Sequence, residues 1–73
     1  MKLTLLAKDP TCWDRNCPSV YVDESGGLVV QGVQLSDADL RDLRDPGSGE
    51  TAVRIDPAIV AEAMARYATE RQR

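Results

Sequence analysis

Cys12 and Cys17 are the residues best suited to chemistry in this 73-residue chain, and Trp13-Asp14-Arg15-Asn16 separates them. Two thiols at this spacing allow four readings. Thiolates could fill two corners of a tetrahedral zinc site. Such a site needs two further donors, and the chain has no histidine and no third cysteine. Zinc would then rest on carboxylates such as Asp9 or Asp14, or on a second chain completing four thiolates. A dithiol redox couple uses a two-residue spacing and a helix start to lower the thiol pKa, and this pair lacks both. A disulfide closing the loop is the third reading. The fourth, which the sequence favours, is two partly buried thiols packed under a loop anchored by Trp13.

Other chemistry is sparse. Asp37, Asp39, Asp42 and Asp45 form an acidic cluster, but no loop here has the alternating oxygen ligands and central glycine of a calcium site. These read as a solvated face. Gly26-Gly27 and Gly47-Ser48-Gly49 lack the lysine and spacing of a phosphate loop and read as turns. With no histidine, no evident base beside any Ser or Thr, and little volume for a cleft, no catalytic residue, enzyme activity, small-molecule substrate or cofactor is expected.

Charge narrows the partners. The net charge is −3, and residues 23–50 hold seven acidic side chains (Asp23, Glu24, Asp37, Asp39, Asp42, Asp45, Glu50) against Arg41 and Arg44. Phosphate is repelled by that middle, so nucleic-acid contact would fall to the ends, at Lys2, Lys8 and Arg15 or at Arg54, Arg66, Arg71 and Arg73. Only 4% of residues are aromatic, too few for stacking platforms. No run approaches the ~20 apolar residues of a membrane span, and residues 1–7 are too short for a signal-peptide core, so a cytoplasmic location is expected.

The elements that must position these residues follow from periodicity and punctuation. Lys2 to Ala7 reads as an edge or terminal strand that Asp9-Pro10 ends, and residues 1–18 comprise this strand and the cysteine loop. Ser19 to Gln34 reads as a β-hairpin turning at Asp23-Glu24-Ser25-Gly26-Gly27, with Gly32 marking a bulge or a close backbone approach. A short helix is predicted over 36–44, capped by Ser36 with Leu35 stapled to Leu40. A strand over 51–55 leads into a helix over 57–70, capped by Asp56 with Pro57 at its first position. Ile59, Val60, Ala63, Met64 and Tyr67 share one face of that helix.

The predicted fold is therefore a single α+β domain. A small mixed or antiparallel sheet of three to four strands is built on the hairpin, with two amphipathic helices packed on it. A domain this small holds only about 3–5 kcal/mol unless a staple or a partner helps, so a homodimer or a protein partner is expected.

Two resemblances bear on function. Thr51 to Val60 resembles the opening of a ribbon-helix-helix repressor, which implies a DNA-binding or antitoxin-like dimer using residues 51–73. The departure is that this family needs a second helix, for which the residues up to Arg73 leave no room. Cys17-Pro18-Ser19-Val20-Tyr21, with Gly27 to Gly32 and Gly49 to Val53, resembles a group of small uncharacterised actinobacterial proteins that accompany helix-turn-helix regulators. That resemblance covers most of residues 12–60 and includes the cysteine pair. It implies a regulatory accessory role without a catalytic residue.

The leading expectation is a non-enzymatic protein-interaction domain. Its contacts are the hairpin face at Tyr21, Val29 and Gln31 and the loop presenting Trp13, because Tyr and Trp bury area while ordering few rotors. The alternatives are the DNA-binding dimer and a zinc or thiol switch at Cys12 and Cys17.

Overall fold

Asp23 organises the first hairpin. Its Oδ1 accepts hydrogen bonds from the Ser25 amide at 2.9 Å, the Ser25 hydroxyl at 2.7 Å and the Gly27 amide at 2.9 Å. Gly26 supplies the positive φ of 94° that closes the turn. The turn fixes the register of β2 (Ser19–Asp23) against β3 (Leu28–Gln31), with Val20 opposite Val30 and Tyr21 opposite Val29. β1 (Leu3–Lys8) adds antiparallel to the other side of β2, giving a three-stranded sheet of order β1-β2-β3. The structure, a computed structural model, describes residues 1–12 and 17–71.

A β-bulge shapes the core. Leu5 pairs with Tyr21 and Ala7 with Val20, so Leu6 is the extra residue. Strict alternation would send Leu6 and Ala7 to opposite faces. With the bulge both are buried, and they join Val20, Ile59 and Ala63 in the core, with Val22, Ile55 and Tyr67 packed at its margin.

α2 (Pro57–Arg71) closes this core by packing across β1 and β2. Its start is capped as predicted: Asp56 Oδ1 accepts from the Ala58 amide at 2.8 Å, and the Asp56 carbonyl accepts from Ile59 at 3.0 Å. Within the predicted face, Ile59 and Ala63 are buried and Tyr67 is half-buried, while Val60 and Met64 are exposed.

Three boundaries differ by more than one residue from the sequence reading. The return strand of the 19–34 hairpin stops at Gln31, and residues 33–34 form β4 (Val33–Gln34) in a separate antiparallel pair with β5 (Val53–Arg54). Gly32 permits the break, since a Cβ there would sit 2.5 Å from the Arg54 carbonyl oxygen. The strand predicted over 51–55 is thereby reduced to two residues, although the Leu35 amide bonds the Ala52 carbonyl at 3.2 Å just beyond it.

The helix predicted over 36–44 shrinks to α1 (Asp37–Leu40). Ser36 Oγ caps it, accepting from the Asp39 amide at 3.2 Å. Past Leu40 the chain continues in three-residue turns, with Asp42 bonding Asp39 and Leu43 bonding Leu40, before Asp45 takes a φ of +48°. α1 buries no residue fully, and a single turn with its cap is too short to be stable by itself. The sheet is thus covered by α2, and α1 lies outside the core.

Candidate interaction surface

The register assigns side chains to the two faces of the three-stranded sheet. Val20 and Val22 point to α2. Their neighbours Tyr21 and Asp23 therefore point to the opposite face, with their cross-strand partners. A row runs Leu5–Tyr21–Val29 across all three strands, flanked by Leu3 beside Asp23 and by Gln31 beside Ser19. Three of the residues singled out in the sequence, Tyr21, Val29 and Gln31, are thus brought together. The Tyr21 hydroxyl donates to Gln31 Oε1 at 2.7 Å, which fixes the ring across the hairpin. Sequence reasoning missed Leu3 and Leu5, 41% and 45% exposed, which complete the row. The alternation Leu3-Thr4-Leu5 carried the signal, but only the register shows which face it joins.

The cysteine loop borders the Ser19 end of this face. The β1–β2 ladder extends past Lys8 through a bond from the Asp9 amide to the Pro18 carbonyl at 3.0 Å, and Asp9 Oδ1 accepts from the Thr11 amide at 2.9 Å and its hydroxyl at 2.7 Å. Held between these bonds, Cys12 and Cys17 are joined as a disulfide with Cα atoms 5.5 Å apart, a spacing natural to the bond. This corrects the favoured expectation of two packed free thiols. Ladder closure at Lys8 and Ser19 draws the two cysteines together, which their spacing alone does not specify. Joined in this way, the sulfurs offer no thiolate to zinc, and among the described residues no group of three or more potential ligands is placed to hold a metal ion. The bond also needs an oxidant, which the reducing cytoplasm does not supply by default. No helix among the described residues is long and apolar enough to cross a membrane.

The buried Cys17 lines a cleft of about 490 Å³ with Gln31, Gly32, Val33 and Gln34, at the point where the apolar row gives way to amides. Trp13, the residue expected to be presented here, lies outside the described residues, as does Arg15. A second cleft of about 700 Å³ is lined by Pro18, Val53, Arg54, Ile55, Asp56 and Pro57, where β5 feeds α2.

Arg54 is exposed on β5 at one end of α2, and Arg66 is exposed on the third turn of the helix, on the order of 15 Å further along. Arg71 is the last residue of α2, and Arg73 lies outside the described residues. Arg54 and Arg66 therefore stand well apart along α2. β5 makes its ladder with β4 of its own chain, unlike the intermolecular ribbon that the ribbon-helix-helix resemblance implies.

Two carboxylates are tuned by local bonds. Asp23 is held below the usual carboxylate range, first by the Ser25 hydroxyl and then by the Gly27 and Ser25 amides. Asp9 is lowered likewise by the Thr11 hydroxyl and amide. Both are turn organisers.

Comparison with protein-family models, with curated proteins and with solved structures yields no match for this chain.

Proposed function

We propose that this chain is a non-enzymatic interaction domain, a regulatory accessory that binds another protein through the sheet face opposite α2. The observation that supports this most is the Leu5–Tyr21–Val29 row: an apolar stripe three strands wide, with one ring pinned by Gln31, on the face opposite the helix. A sheet face of this kind gains by burial, and a pinned aromatic loses little rotamer freedom on binding. The absence of histidine from the sequence favours binding over catalysis. The regulatory setting rests on the resemblance to small proteins that accompany helix-turn-helix regulators.

Site-specific photo-crosslinking in native cells tests the reading. A benzophenone side chain at Tyr21 or Val29 captures one protein species, and the same group at Glu62 or Asp42 does not. Tyr21→Lys abolishes capture from Val29 while the melting temperature of the domain stays unchanged. Equal capture from all four positions refutes the assignment of this face.

A further inference from the structure

The other face of the sheet is only partly covered. Leu28 and Val30 stand opposite Val22 and Val20, so all four side chains leave the face on which α2 lies. Val20 is buried beneath the helix, whereas Leu28 and Val30 each remain 42% exposed. The dimensions explain this. Three strands spaced ~4.8 Å apart make a layer about 14 Å wide, and one helix about 10 Å across, lying over β1 and β2, leaves β3 bare.

The flank of α2 that borders this bare strip is itself apolar. α2 begins at the cleft that Pro57 shares with Pro18, and near its end the Tyr67 hydroxyl donates to the Gly26 carbonyl in the β2–β3 turn at 3.1 Å. It therefore runs parallel to β2. With Ile59 and Ala63 on the sheet, the right-handed winding turns the following residues, Val60 and Met64, toward β3. They are 36% and 42% exposed. The outward face of α2 carries Ala58, Ala61, Ala65 and Ala68, all exposed, where a solvent-facing helix ordinarily carries charge. Such small residues let a second layer approach closely.

We propose that a second copy of this chain docks here, about a two-fold axis parallel to α2. The two helices lie side by side in one layer between two sheets. Val60 and Met64 of each meet their counterparts, and the alanine face of each rests on the partner copy's β3 strip. Each copy supplies the helix that the other lacks.

A second copy suits this strip because its α2, small-residued on the outward face, has about the width that β3 leaves bare, and the surface of the chain leaves room for it. The chain exposes 5973 Å², against ~4,450 Å² for a compact monomer of 8.0 kDa. Its radius of gyration is 13.6 Å, against ~11 Å for a compact chain of this length. The excess, about 1,500 Å², belongs to the whole chain, with the separate β4–β5 pair and α1 contributing to it, and it leaves room for the ~800 Å² that a standard interface takes from each partner. The docking face is distinct from the Tyr21 face, so the two assignments stand or fall separately.

Sedimentation equilibrium of the oxidised full chain, from about 5 to about 500 µM, tests the proposal. The expected species is a dimer of twice 8.0 kDa. Met64→Lys and Leu28→Lys each weaken it by at least roughly tenfold, with circular dichroism confirming the fold, and Tyr21→Lys leaves it unchanged. Because the native cysteines are bridged, Met64→Cys provides a unique thiol, and a short bismaleimide joins two copies through it. This measurement decides the matter where a lysine variant fails to fold. A monomer across the whole range, a dimer broken by Tyr21→Lys but not by Met64→Lys or Leu28→Lys, or no cross-linked pair through Met64→Cys overturns the proposal.

Discussion

Reduction of the Cys12–Cys17 bond should lower the melting temperature by about 14 °C without abolishing the fold. A sequence separation of 5 closes a ring of six residues. Chain-entropy arguments assign such a ring about 7 cal/mol/K of lost freedom in the unfolded state, or roughly 2.2 kcal/mol at 25 °C. An unfolding entropy of ~2.1 cal/mol/K per residue over the chain converts this to the expected shift. The fold survives because the ladder bonds at Lys8–Ser19 and Asp9–Pro18 close the same loop without the sulfurs. The loss is nonetheless large beside the ~3–5 kcal/mol available to a domain of this size. Thermal melts followed by far-UV circular dichroism, with and without a phosphine reductant, measure the shift. A Cys12→Ala/Cys17→Ala variant should melt near the reduced protein and ignore the reductant. A shift below about 3 °C would refute the reasoning, because it would mean that the unfolded chain gains almost no freedom when the ring opens.

Three other perturbations probe the frame that positions both faces. Gly32→Ala drives a Cβ toward the Arg54 carbonyl and should cost about 1–3 kcal/mol, read from urea unfolding, with faster amide exchange at the Leu35 amide that bonds Ala52. Asp56→Ala removes the cap of α2 and should cost ~1 kcal/mol by the same measurement. The carboxyl pKa of Asp23 is lowered in the folded state, so its contribution is fully present above the unfolded value near ~3.9 and is lost as pH falls through the folded value. Asp23→Asn should therefore flatten the fall of melting temperature below about pH 4, and an unchanged acid limb would exclude Asp23 as a source of it.

The sequence was legible wherever one residue type answers to one local demand. Asp56-Pro57 marks a helix start, Asp23 to Gly27 marks a turn, and Val20-Tyr21-Val22 alternates as a half-covered strand must. Tyr21, Val29 and Gln31 could be placed on one face for that reason. What stayed hidden depends on contacts distant in the chain. Leu6 and Ala7 are both buried only because β1 bulges against β2, and nothing within residues 3–8 announces the extra residue. Leu40 and Leu43 promise an apolar stripe, yet both are only half-buried and neither joins the core, and the chain leaves the helix after one turn for three-residue turns. Gly32 was readable as a close approach, but not as the point where the strand leaves one sheet for another. The disulfide is of the same kind: the spacing of Cys12 and Cys17 permits several outcomes, and ladder closure beside them selects one.

The two proposed surfaces lie on opposite faces of one thin sheet, and that arrangement has a measurable consequence. With the helices of two copies layered between two sheets, the Leu5–Tyr21–Val29 rows face outward on opposite sides of the dimer. Partner binding then leaves the dimer contact untouched, and each dimer offers two equivalent sites. A monomeric partner in solution should bind wild type and Met64→Lys with equal affinity, because the Tyr21 face is intact in both. The same partner immobilised densely on a surface should release wild type more slowly than Met64→Lys, since a second attached site holds the dimer in place. Avidity of this origin reaches 10²–10⁴ where the spacing of sites permits both to engage, without any new contact. Equal release of the two proteins at high partner density, with wild type shown to be dimeric at that concentration, would mean that the two rows do not face outward together, and the layered arrangement would have to be abandoned.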